Sequence, residues 1–181
     1  MTKMKLNKVL LTGLLGIAVA IILSAFFVNH RISGNKTFYN TIISYVDSNY
    51  ELLENFPYDE IERIKCSNDS AEIKTQREEE VIKKYLGENT IVTGVEAYNE
   101  NILQFYCRGS GFLDVGSYMG FYFSRDDTPC AFEFNNLELI EISPGVFEGQ
   151  DENGAQEIHK GHKIHTEKIR KNWYYYIQYW Y

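Results

Sequence analysis

The stretch HKGHKIH places His159, His162 and His165 within seven residues, three of the chain's four histidines. Neutral imidazoles at this density could hold zinc, copper or nickel. Asp151, Glu152 and Glu157 lie nearby as oxygen donors. On one continuous strand the spacing works against a shared ion. His159 and His165 would share a face about 20 Å apart. His162 would point the other way, with Ile158 and Ile164. A common ion needs a bend at Gly161 or donors from a neighbouring strand, and no HExxH or CxxC pattern supports the site.

The other candidates are paired acids and a dense aromatic terminus. In SRDDTP, Asp126 and Asp127 offer two carboxylates, which general acid–base chemistry can use when their environments differ. Adjacent aspartates beside a proline are better explained as turn residues that bond nearby backbone. The closing NWYYYIQYWY is aromatic at seven of ten positions. With a period of two, Trp173, Tyr175, Ile177, Tyr179 and Tyr181 share one face, and Tyr174, Tyr176, Gln178 and Trp180 the other. Neither face is polar, which marks a central strand. One side is expected to pack under helices. The side with Tyr174, Tyr176 and Trp180, joined by Tyr118 and Tyr122, could lie half exposed; packing within the fold is the leading reading of these rings, and an exposed tyrosine face that binds a glycan or peptide is the alternative. No GxSxG elbow and no GxxxxGK[ST] loop occurs, and GSGFLDVG reads as close turns between strands. No cofactor is implied.

These side chains need a scaffold, and the pattern indicates one. Residues 9–28, VLLTGLLGIAVAIILSAFFV, carry no charge over twenty positions. That is the length of a helix crossing a bilayer. A cleavable signal peptide ending at AVA is the rival, but cutting there would leave IILSAFFV as an apolar new terminus. Lys3, Lys5 and Lys8 precede the run together with the chain's amine, against His30, Arg31 and Lys36 after it. The positive-inside rule therefore assigns residues 1–8 to the cytoplasm, 29–36 to a linker and 37–181 to an extracytoplasmic domain. Gly16 and Ala20, with Thr12 four residues earlier, form a small-xxx-small pattern that could let two anchors pack.

The net charge is −7, but from Thr37 onward 13 basic residues face 25 acids. Such a domain has no basic stripe for nucleic acid and is repelled by anionic lipid. Cys66, Cys107 and Cys130 each share strand parity with apolar neighbours and are expected to be buried thiols, although a Cys107–Cys130 bridge is open if their strands adjoin.

KTFYNTIISYVDSNYELLENF has helical spacing and stops before Pro57. YDEIERIKCS reads as a strand. TQREEEVIKKYLG reads as a helix with a Thr75–Glu78 capping box, a Val81, Ile82, Tyr85, Leu86 stripe and Gly87 as its C-terminal cap. From about residue 90 the period is two, and TIVTGVEAY, ILQFYCRGS, YMGFYFS, CAFEFN, LELIEI, VFEG, QEIHKGHKIHT and the closing segment read as strands separated by turns. The expected architecture is α+β: a transmembrane helix, then two helices on one face of a mostly antiparallel sheet of six to eight strands.

GFYFSRDDTPCAFEF, followed by an acidic glycine-containing loop and the closing NWYYY, resembles small, uncharacterised, membrane-anchored extracytoplasmic proteins of Gram-positive bacteria. The resemblance covers the last third to half of the chain. It implies an extracytoplasmic setting and no particular activity. The expected function is a binding or accessory module holding a protein, peptide or wall glycan at the outer membrane surface. A cell-wall or peptide hydrolase with an acidic site, and a metal protein using the His159–His165 cluster, are the alternatives.

Overall fold

The computed structural model describes residues 36–112, 115–132, 137–151 and 162–180. The apolar run at 9–28 lies outside the described residues. Among the described residues no helix is long and apolar enough to cross a membrane.

Helix α1 covers residues 36–48, and α2 (Tyr50–Glu54) follows after a single turn residue, Asn49. The Asn49 side chain donates to the Tyr45 carbonyl at 2.8 Å, beside the backbone bond that its own N–H makes to the same oxygen at 3.0 Å. The YDEIERIKCS segment is a helix, α3 (Tyr58–Cys66), and not a strand. Ile61 and Ile64 are buried at a spacing of three. Asp59 and Glu60 occupy the first turn, and Arg63 and Lys65 the last, complementing the helix dipole. Pro57 precedes this helix directly, a place where proline's missing N–H costs nothing. Helical geometry turns Cys66 away from Ile64 and leaves it exposed, contrary to the strand-based expectation.

Helix α4 runs Ala71–Leu86 and begins four residues before Thr75. Its cap is Ser70, whose hydroxyl accepts from the Ile73 N–H. Thr75 bonds back to the Ala71 carbonyl at 3.0 Å. Glu78 accepts from the Val95 N–H at 2.6 Å, so it ties the helix to the sheet and does not close a capping box. Val81, Ile82 and Leu86 are buried and Tyr85 is half-buried; Gly87 ends the helix as expected, but at φ 84° and ψ 163°, a positive-φ conformation outside the left-handed helical region.

Among the described residues seven strands form one sheet: β1 (Gly94–Asn99), β2 (Ile102–Phe112), β3 (Val115–Ser124), β4 (Ile140–Ser143), β5 (Val146–Asp151), β6 (His162–Arg170) and β7 (Trp173–Trp180). Their order is β1-β2-β3-β7-β6-β5-β4, and each observed ladder is antiparallel. The terminal strand is thus the middle one, which explains its two apolar faces. Cys130, Ala131 and Phe132 form no strand, contrary to the alternation of CAFEF. They belong to a connection between β3 and β4 that crosses one face of the sheet.

That crossing creates two cores. On the helix side, Phe56 packs edge-on against Phe105 at 5.2 Å, Phe105 stacks on Phe121 at 4.7 Å, and Trp173 leans on both. On the opposite side Ile102, Tyr122, Ile164, Tyr174 and Tyr176 are buried together with Phe132 from the connection. Cys107 is buried and Cys130 half-buried, both thiols are free, and burial pushes both pKa values up.

Asp126 and Asp127 act as turn residues. Asp126 accepts from the Ser124 and Thr128 hydroxyls. Asp127, at φ 57°, accepts from the Asn172 N–H at 2.7 Å and from Lys168 at 2.6 Å, clamping the connection to the β6–β7 turn. The Lys168 ammonium, first among several donors, holds its carboxyl below the usual aspartate range. A depressed folded pKa contributes stability above the unfolded value, near 4, and that contribution is lost as pH falls through the lower folded value. Asp127→Ala is expected to cost about 1–2 kcal/mol at pH 7 and less at pH 3. Urea unfolding at the two pH values checks this, and an equal cost at both would remove the charge-based account.

Candidate functional site

On the face away from the helices, the described residues of the β3–β4 connection leave one part of the sheet uncovered. It forms a cleft of about 760 Å³, within the range of about 300–1,000 Å³ typical of ligand sites. Five strands supply its surface. Gln104 on β2 and Gln178 on β7 bring amides that are only 3% and 9% exposed. Glu96 and Tyr98 come from β1, Tyr106 from β2 and His162 from β6. Phe132 closes one side, edge-on to Tyr98 at 5.6 Å.

Tyr118 and Trp180 make the aromatic wall, with ring centroids 4.5 Å apart. Two glycines allow their posture. Gly109 pairs with Tyr118, and Gly116 pairs with Trp180. A Cβ on Gly109 would meet the Tyr118 ring at 2.6 Å, and one on Gly116 would meet the Trp180 indole at 2.6 Å. Each ring therefore lies over a glycine on the neighbouring strand, and both rings line the cleft. Tyr118 is 46% exposed. Tyr106 continues the row, edge-on to Tyr118 at 6.4 Å.

The polar groups are arranged by hydrogen bonds. The Tyr106 hydroxyl lies 2.9 Å from Glu96 Oε2 and 3.1 Å from Gln104 Oε1. Lys65 of α3 pairs with Glu96 Oε1 at 3.3 Å, so this carboxylate is already compensated. Beneath them the Tyr176 hydroxyl is buried beside Gln104 without a partner in hydrogen-bonding geometry among the described residues. Burial raises its pKa well above the usual tyrosine value.

Of the residues singled out in the sequence, Tyr118 and Trp180 line the cleft. Tyr122, Tyr174 and Tyr176 are at most 2% exposed, not half exposed as the strand pattern suggested. The β3–β4 connection covers them: the Tyr122 and Tyr174 hydroxyls satisfy its backbone, and Phe132 packs against Tyr176 at 5.0 Å. Tyr122 accepts from the Cys130 N–H and bonds Thr166, and Tyr174 donates to the Asp127 carbonyl at 2.7 Å. His162 and His165 sit on opposite faces of β6, His162 in the cleft and His165 3.2 Å from Glu148 on the helix-side face. The fold does not bring these two to a common point. His159 lies outside the described residues, among which no group of three metal-ligating side chains occurs.

Glu96, Gln104, Tyr106 and Gln178 were not singled out from the sequence. A usable signal existed in ILQFYC and YYIQYW, where one glutamine interrupts an otherwise apolar strand. A central strand keeps such an amide only where something polar meets it. No family model, curated protein or solved structure matches the chain.

Proposed function

We propose that this protein is a single-pass, membrane-anchored binding module whose extracytoplasmic domain presents the β-sheet cleft to a ligand at the outer surface. The anchor rests on the uncharged run at 9–28 and the lysines before it. The observation that carries the binding role is the pair of rings, Tyr118 and Trp180, laid over Gly109 and Gly116 beside two buried amides. Holding bulky rings at a partly exposed surface through two tailored glycines has no packing benefit comparable to burying them. Ligand contact supplies one. Among the described residues the lining carries one carboxylate, Glu96, paired with Lys65, which suits binding better than two-carboxylate hydrolysis.

The test is in-cell crosslinking of the tagged full-length protein, followed by membrane solubilisation and identification of what co-purifies. Wild type is expected to retain a specific companion that the double variant Tyr118→Ala/Trp180→Ala loses while remaining folded and membrane-bound. A companion held equally by both would move the binding surface away from the cleft. Recovery of the chain in the soluble fraction would remove the anchor.

A further inference from the structure

We infer that the cleft takes a neutral carbohydrate, with a pyranose ring stacked on Tyr118 and Trp180 and its hydroxyls bonded by Gln104 and Gln178. This inference rests on the cleft being the binding site. It adds the ligand class. Four observations select the class.

The wall is aromatic and in part solvent-facing, with Tyr118 46% exposed beside Trp180. An aromatic face carries negative quadrupole density, and the C–H bonds on one side of a pyranose present the complementary positive edge. The floor is built from amides, and each amide both donates and accepts. A sugar hydroxyl does the same, so adjacent hydroxyls can be met in pairs. These amides are almost fully buried, at 3% and 9% exposure, and are therefore held in place before a ligand arrives.

Charge excludes two other classes. No lysine or arginine lines the cleft among the described residues, and Lys65 beside it is already paired with Glu96, so a phosphate or carboxylate ligand meets no unpaired cation in the lining. A cationic ligand would seek a free carboxylate under the rings, but Glu96 already pairs with Lys65 and accepts from Tyr106.

Topology disfavours an extended peptide. Peptides commonly add to a sheet through its open edge. The floor amides and the aromatic wall of this cleft stand on β2, β3 and β7, which pair with strands on both sides, so their backbone groups are committed to the ladders; the edge strand β1 borders the cleft through Glu96 and Tyr98. Over those three strands only side chains remain to bind. The volume of about 760 Å³ suits a short oligosaccharide better than a single sugar ring.

The experiment uses the full-length chain in lipid nanodiscs, which avoids sugar-headed detergents. Cellotetraose, maltotetraose and chitotetraose are titrated calorimetrically, with tetramethylammonium and tetra-alanine as counter-probes. At least one saccharide should bind saturably. Tyr118→Ala and Gln178→Leu should each weaken it about tenfold or more with near-UV circular dichroism unchanged. Should Gln178→Leu disturb folding, His162→Gln serves as the second cleft variant, with a smaller loss expected. Saturable binding of tetramethylammonium or tetra-alanine alone would overturn the carbohydrate assignment and leave the cleft as a binding site. Absence of saccharide binding at millimolar concentration, or binding that the variants do not alter, would also overturn it. The proposed binding role itself stands or falls separately, on whether the crosslinked companion depends on Tyr118 and Trp180.

Discussion

Trp173→Ala is expected to destabilise the domain by about 3–5 kcal/mol, the usual cost of emptying a fully buried tryptophan site. Trp173 is 1% exposed and begins β7, the middle strand. Its indole touches Phe123 at 5.3 Å and Phe105 and Phe121 at 5.9 Å. These rings come from β2 and β3, so the cavity would open where three strands meet, under the helices. Denaturant unfolding of the two proteins measures the difference. Trp173→Phe is the informative companion. The indole N–H is buried without a hydrogen-bond partner among the described residues. Phenylalanine gives up some volume but also removes that unmet donor, so a loss below about 1.5 kcal/mol is expected. A large loss for phenylalanine would mean that the indole N–H does find a partner in solution.

The second large effect is expected at Gly120. A Cβ there would lie 1.9 Å from the Phe105 carbonyl oxygen and 3.1 Å from Cε1 of Tyr176. The first neighbour is backbone, in a central ladder, and cannot rotate away. β2 and β3 would have to separate next to the bulge at Tyr106–Arg108. Gly120→Ala should therefore cost about 3 kcal/mol, at the upper end for overpacking. Gly109→Ala is the control with opposite character. Its Cβ would meet the Tyr118 ring, which is partly exposed and can swing out. That variant should lose little stability but should lose ligand, because Tyr118 leaves its place over the sheet. Thermal unfolding and ligand titration of the pair separate the two outcomes. Equal destabilisation by both would show that Tyr118 is held by packing and not by its posture over the glycine.

Much of the scaffold was legible along the chain because periodicity is local. Alternation in ILQFYC, YMGFYFS and WYYYIQYW marks strands, and the absence of a polar face in the last places it centrally, as β7 is. Gly87 and the buried stripe of α4 were readable for the same reason. The error at Tyr58–Cys66 has a definite cause. In nine residues, Ile61 and Ile64 alone carry the buried pattern, and so short a run fits a strand until the flanking charges are weighed against a helix dipole. Thr75 and Glu78 match a capping box in sequence, yet Ser70 caps α4 and Glu78 is taken up by Val95 across the fold.

The candidate site was only partly legible. Strand parity put Trp180 and Gln178 on one face and suggested Tyr118 beside them. It put Tyr174, Tyr176 and Tyr122 on that face too, and could not say which part would be covered. That was decided by the β3–β4 connection, whose Cys130 N–H and Asp127 carbonyl meet the Tyr122 and Tyr174 hydroxyls. Registers Gly109↔Tyr118 and Gly116↔Trp180, joining residues up to 64 positions apart, then set which rings stay open to solvent. Each residue's own neighbours encode the face it takes. What lies over that face depends on contacts between distant segments, and those exist only once the chain has folded.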